Sequence, residues 1–351
     1  MILSMKKGLC LLLLAVIITI SLAACGQKGK SPSESNPVTS PDSTQDAANN
    51  ESLRKVTFVL DWAPNTNHTG IYVARDKGYF KDAGLDVEII QPSEGTSDSI
   101  VASGTAQFGI SYQEGVTFAR AQGVPLVSLA AVIQHNTSGF ASIKDKNILS
   151  PKDFEGKTYG GWGSPIEEAT IKYLMDQEGA DFSKVTIATT GDADFFQSSQ
   201  SGQIDFAWIF AGWDGIAAKL KGMELNYIDL GKIAPVFDYY TPVIITSENT
   251  LNKDEELVRS FMEAVVKGYE FAIKEPEAAA DILIKAVPEI DAELVKESQK
   301  FLADKYQADA PYWGMQKVEV WENYTNWLYE NGFIEERIDV TKAFTNKFVE
   351  K

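Results

Sequence analysis

Lys55-Val-Thr-Phe-Val-Leu60-Asp-Trp-Ala-Pro-Asn-Thr-Asn-His68, then Gly70-Ile-Tyr-Val-Ala-Arg-Asp-Lys77, then Leu85-Asp-Val-Glu-Ile-Ile90: these runs decide the fold class. The first begins β-rich and ends in a polar loop. The second has helical character, and the third alternates apolar and polar residues as a strand does. Residues 97–103 suit a short helix, and Ala106-Gln-Phe-Gly-Ile110 suits another strand. Strand and helix alternating at this spacing build a mostly parallel sheet joined by crossover helices. The rhythm resumes at Thr158-Tyr-Gly160, with a helix opening at Pro165 and strands at 185–188 and 204–208. Beyond Asp254 the pattern is largely helical, over 255–274, 277–285, 292–302 and 317–331. No internal sequence repeat is visible.

The 351 residues amount to two to three times the commonest domain size, so two lobes are expected. Hydrophobic residues make up 44% and charged residues 23%, enough apolar surface for a sizeable core. The net charge of −17 argues against nucleic acid, which needs clustered Lys and Arg, and against a basic patch on anionic lipid. With two histidines, His68 and His135, and two cysteines, Cys10 and Cys25, a zinc finger, an iron–sulfur cluster and a disulfide scaffold are excluded. No Ser/His/Asp arrangement, phosphate loop or paired-histidine metal motif occurs. No metal and no cofactor are expected.

The N-terminus reads as an export signal over 1–24. Lys6 and Lys7 supply its positive start, and residues 9–22 supply an apolar run broken only by Thr19 and Ser21. So short a run fits a signal better than a membrane span. Leu22-Ala-Ala-Cys25 resembles a bacterial lipobox, which implies that Cys25 is lipidated and opens the mature chain; a plain signal with an incidental Cys is the alternative. Residues 26–54 are rich in Ser, Pro, Asp, Asn and Gln with almost nothing apolar, so 25–54 reads as a lipidated Cys and flexible tether. Anchor, tether and globular body describe a receptor held at the outer face of a bacterial cell membrane.

The body carries a family resemblance. Its pieces are Asp61-Trp-Ala-Pro-Asn-Thr-Asn-His68, the run from Gly70 to Phe80, Gly84-Leu-Asp-Val-Glu88, Ser103-Gly-Thr-Ala-Gln-Phe-Gly109 and Ser150-Pro-Lys-Asp-Phe-Glu-Gly-Lys157. The tail adds Trp327 to Phe333 and Asp339-Val-Thr-Lys-Ala-Phe344. As an ordered set they resemble the NMT1/THI-type periplasmic binding proteins over essentially the whole of 55–351. Asp-Trp-x-Pro-Asn-x-x-His is most similar to the pyrimidine-binding branch, which delivers thiamin precursors.

The resemblance implies a two-lobe α/β clamshell, the type II periplasmic binding protein fold, whose chain crosses between lobes twice. Two apolar extended runs, 139–143 and 242–246, are the expected crossings. Lobe one is then 55–141 plus 246–351, and lobe two 142–245. The implied function is that of a monomeric receptor, which captures a formylaminopyrimidine or hydroxymethylpyrimidine in the interlobe cleft and docks on ABC permease subunits. The same fold with a sulfonate, riboflavin-like or polyamine ligand is the alternative. Pyrimidine synthases of the superfamily share the Trp-x-Pro…His motif. Their pattern also includes a cysteine-rich motif, which a chain with one mature Cys cannot hold, so an enzyme is not expected.

In open α/β sheets, ligands bind beyond the carboxyl ends of strands. Asp61, Trp62, Asn65 and His68 follow the first strand, Tyr112 and Glu114 the strand ending at Ile110, Trp162 and Ser164 the strand at 158–160. Trp213 follows 204–209, and Asp238 and Tyr239 precede the second expected crossing. Aromatics stack on a planar ring and carboxylates accept from its amine. Trp62 and Trp162, in polar loops beside Pro or Gly, read as ligand contacts, whereas Trp208, within an alternating strand, reads as core. Trp213 fits either role, and Trp313, Trp321 and Trp327 read as packing. Ser164-Pro-Ile-Glu167 is a capping box with Pro at the first helical position, so Glu167 either caps its helix or meets the ligand's amine. His68 suits direct contact or support of a neighbour, and His135 reads as structural. None of the five arginines lies beside the aromatic loops, which disfavours an anionic ligand.

Overall fold

The computed structural model describes residues 53–92, 96–191 and 194–350; the signal segment, Cys25 and nearly all of the tether lie outside them. Among the described residues, ten strands form: β1 (Arg54–Val59), β2 (Leu85–Ile90), β3 (Phe108–Ser111), β4 (Leu126–Ala131), β5 (Ser138–Ile143), β6 (Thr158–Gly161), β7 (Thr186–Thr189), β8 (Phe206–Phe210), β9 (Leu225–Asp229) and β10 (Val243–Ser247). They pair into two five-stranded sheets, β2-β1-β3-β10-β4 and β7-β6-β8-β5-β9. Both sheets are built alike. In the first, β1 runs parallel to β2 and β3, and β10 runs antiparallel to β3 and β4. In the second, β6 runs parallel to β7 and β8, and β5 runs antiparallel to β8 and β9. Parallel strands require crossover connections, which the intervening helices supply.

The expected crossings need correction. Residues 139–143 lie within β5 and 242–246 largely within β10, so both runs are paired strands, each the reversed strand of its sheet. The chain passes between sheets just upstream, over 132–137 and 230–242. An apolar extended run looks the same as a linker or as a central strand, and only its pairing partners tell them apart. The two passages are pinned to each other. His135 Nδ1 lies 2.7 Å from Asp238, and Asn136 donates its backbone N–H to Asp238 at 2.9 Å and its side-chain amide to Phe237 O at 2.8 Å.

Each sheet has its own core. Phe261, on the amphipathic helix Glu255–Lys274, stacks on Phe108 at 3.9 Å, Phe80 at 5.3 Å and Phe58 at 5.8 Å between ring centres. The same helix crosses Thr69–Asp76 so closely that a Cβ on Gly268 would sit 2.0 Å from Gly70 O. Only glycine permits that contact. Under the second sheet, Phe154 and Phe206 stack at 4.1 Å beside Phe140 and Tyr159.

The helix Val318–Glu330 is not confined to lobe one, where residues 246–351 were expected. Trp321 enters a cluster with Tyr240, Val243 and Ile245 of the first sheet's side. Tyr324, Trp327 and Leu328, along the same buried stripe, enter the core of the second sheet. The helix lies along the seam, so successive turns meet different lobes. Among the described residues no helix is long and apolar enough to cross a membrane.

Candidate functional site

The carboxyl end of β1 delivers Asp61 into a loop that is held from below. Tyr269 donates to Asn67 O at 2.7 Å and Tyr306 to Thr66 O at 2.6 Å. Asn65 closes the turn with its own side chain, accepting from Asn67 N and donating to Ala63 O. Its backbone N–H donates to His68 Nδ1 at 3.2 Å, which leaves His68 Nε2 to donate to Asp61 Oδ1 at 2.7 Å. Tyr112, just past β3, donates to Asp61 Oδ2 at 2.5 Å. Burial would raise the Asp61 pKa, but the hydrogen bonds from His68 and Tyr112 hold it below its usual value. The result is a fixed carboxylate. His68, with 0% of its surface exposed, is engaged by Asp61, and Asn65 by its own loop.

A second carboxylate stands nearby. Glu114, in the first turn of the helix Gln113–Ala121, accepts at Oε2 from Tyr239 at 3.0 Å and from Tyr324 at 3.3 Å. Burial raises its pKa against the pull of those two hydroxyls, and the charges of Asp98 and Glu167 push the same way. Asp98, unremarked in the sequence, completes the group: it sits at Ser111, and its buried Oδ1 has no hydrogen-bond partner among the described residues. Gly115 leaves room for this pair, since a Cβ would lie 2.7 Å from Asp98 Oδ2 and 2.8 Å from Ser111 Oγ and would push one of them aside.

Aromatic faces stand past strands of both sheets, Trp62 after β1 of the first and Trp162 after β6 of the second. Trp62 and Trp162 are 52% and 47% exposed, large apolar faces left uncovered at strand ends, where ring contact is chemically favourable. Trp208 is not simply core: it is half-buried, 5.7 Å from Trp162 between ring centres, with its Nε1 unpartnered among the described residues. Trp213 packs instead against the cluster of Tyr72, Ala280, Leu283 and Val295. Its helical turn is tied to the other lobe, because Ser298 donates to Gly212 O.

Glu167 caps its helix. At 1% exposure it accepts from Tyr159 OH, Trp162 N, Gly163 N and Ser164 N, at 2.5, 3.2, 2.8 and 2.8 Å. Ser164 is the partner in that box. Glu167→Gln puts an amide N–H against these donors, and is expected to cost about 2 kcal/mol and roughly 5 °C of melting temperature. Ligand affinity measured below the transition should change little. An unchanged melt with lost affinity would put the carboxylate on the ligand instead. Asp238 is likewise committed elsewhere: with Asp309 it brackets His135, and these two hydrogen bonds outweigh partial burial and hold the His135 pKa above its usual value.

Two mixed α/β lobes joined by two chain passages, with aromatics and carboxylates at the strand ends between them, define a substrate-binding protein of the type II periplasmic fold. The chain belongs to the NMT1/THI5-like family, whose model matches residues 65–279. It is 30% identical to the formylaminopyrimidine-binding protein of Halalkalibacterium halodurans over 312 residues, 86% of this chain and 93% of that one. It is 24% identical to the riboflavin-binding protein RibY of Chloroflexus aurantiacus, covering 96% and 97% of the two chains. Among solved structures, the periplasmic aliphatic sulphonate binding protein SsuA from Escherichia coli superposes with a TM-score of 0.64 at 14% identity, over 83% of this chain and 97% of that one. That last likeness speaks to fold alone.

Proposed function

We propose that the chain is the extracytoplasmic receptor of an ABC importer, held at the outer face of the cell membrane through a lipid on Cys25, and that it binds formylaminopyrimidine or hydroxymethylpyrimidine. One observation carries the ligand class: the strand ends present carboxylates, and every arginine is engaged elsewhere. Arg54 pairs with Asp254, Arg120 with Glu248, Arg259 with Glu255 and Arg337 with Glu330, while Arg75 lies over Tyr72. A sulfonate would meet Asp61 and Glu114 with no guanidinium to offset them. An aminopyrimidine offers N–H donors to these acceptors and flat faces to Trp62 and Trp162. The similarity to a formylaminopyrimidine-binding protein supports the same reading.

Titration calorimetry on the purified chain tests it, with formylaminopyrimidine, hydroxymethylpyrimidine, riboflavin and taurine in turn. Binding of either pyrimidine and none of taurine is expected. Binding of taurine or riboflavin alone would overturn the assignment.

A further inference from the structure

Tyr324 lies 210 residues from Glu114 in sequence, on a helix that no strand-end argument reaches, yet its hydroxyl touches the cleft carboxylate. Its ring is 1% exposed and stacks on Tyr239 at 4.3 Å with 29° between planes. The stack continues through Trp327 at 5.8 Å to Phe333 at 5.9 Å. Glu114 thus has one oxygen, Oε2, bound by two hydroxyls from two elements. Oε1 has no hydrogen-bond partner among the described residues, and the residue remains partly exposed. We propose that Tyr324 is a positioning residue of the cleft, which with Tyr239 clamps Glu114 so that its free oxygen accepts from the ligand's amino group. This rests on the aminopyrimidine reading above.

The chemistry follows from the partners. Burial and the neighbouring Glu114 charge push the hydroxyl pKa values of Tyr239 and Tyr324 well up, so both stay protonated and donate. Their hydrogen bonds favour the carboxylate form of Glu114 against burial and against Asp98, on the helix Ser97–Ala102, and Glu167, on the helix Pro165–Gln177. Tyr112, with Asp61 behind it, also lies within reach of the Glu114 charge. Removing one hydroxyl lets the Glu114 pKa rise, so the acidic loss of affinity moves to higher pH.

The test compares Tyr324→Phe with wild type in binding hydroxymethylpyrimidine and its 4-oxo counterpart across pH. Carboxyl-carbon NMR follows the Glu114 titration in both ligand-free proteins, and Tyr329→Phe, on the same helix, serves as control. Tyr324→Phe should bind the amine about ten-fold more weakly near neutral pH. The 4-oxo compound should lose less, and both the acid limb and the Glu114 titration should shift upward. Unchanged affinity with an unchanged Glu114 titration would overturn the role of Tyr324. If wild type binds neither pyrimidine, the functional reading fails, and the ligand-free titration still decides whether Tyr324 holds Glu114.

Discussion

Asp61→Ala should lower the stability of the protein by about 3–5 kcal/mol and abolish ligand binding at accessible concentrations. The side chain is 7% exposed and answers two buried donors, His68 Nε2 and Tyr112 OH. Alanine leaves both unpaired in a site that water enters poorly, and an unmade buried hydrogen bond costs more than a made one contributes. At this chain length the melting temperature should fall by roughly 5–15 °C. The pH dependence has a defined sign. The folded pKa of Asp61 lies below its usual value, so its contribution is present at neutral pH and disappears as pH falls through that lowered pKa. The gap between wild type and Asp61→Ala should therefore narrow in acid. A melt within a degree of wild type at neutral pH, with binding retained, would refute the loop architecture described above.

Phe261→Ala should cost about 3–5 kcal/mol without touching the cleft. The ring is stacked among Phe58, Phe80 and Phe108, and each of these four residues is at most 2% exposed. Deleting it opens a cavity between the helix Glu255–Lys274 and side chains from two strands and the short helix Tyr79–Asp82, which close packing prevents from collapsing fully. Urea unfolding should show a lower midpoint at an unchanged slope. Ligand affinity below the transition should survive, which separates this residue from Asp61. A midpoint within experimental error of wild type would mean that the first sheet's core is not organised around this ring.

The candidate site divides along the same line between near and distant partners. Asp61, Trp62 and Glu114 stand past the carboxyl ends of β1 and β3, a position that local periodicity reveals. The cap at Glu167 was legible because Ser164-Pro-Ile-Glu167 encodes it within four residues. Asp238 shows a limit of local reading: a carboxylate beside a chain passage looks the same whether or not it is paired, and here it pairs with His135 on the other passage. Trp213 was undecided in the sequence because its partners lie on helices some seventy residues or more away. Asp98 gave no signal beyond its place in a helix's first turn, and its meaning comes from Ser111 and Gly115 on two other elements.

The sequence by itself determined the strand character of β1, β2 and β3, the helices beyond Asp254, the alternation that makes two α/β lobes, the cap at Glu167 and a set of arginines none of which neighbours the aromatic loops. These are short-range properties, written in period, caps and composition. Only the tertiary structure decided that 139–143 and 242–246 are reversed strands rather than links, that Phe261 completes a core begun two hundred residues earlier, and that Tyr324 reaches Glu114. The reason is physical. Which apolar run pairs with which, and which hydroxyl finds which carboxylate, depends on burial shared between distant segments, and no local pattern records a partner that far away.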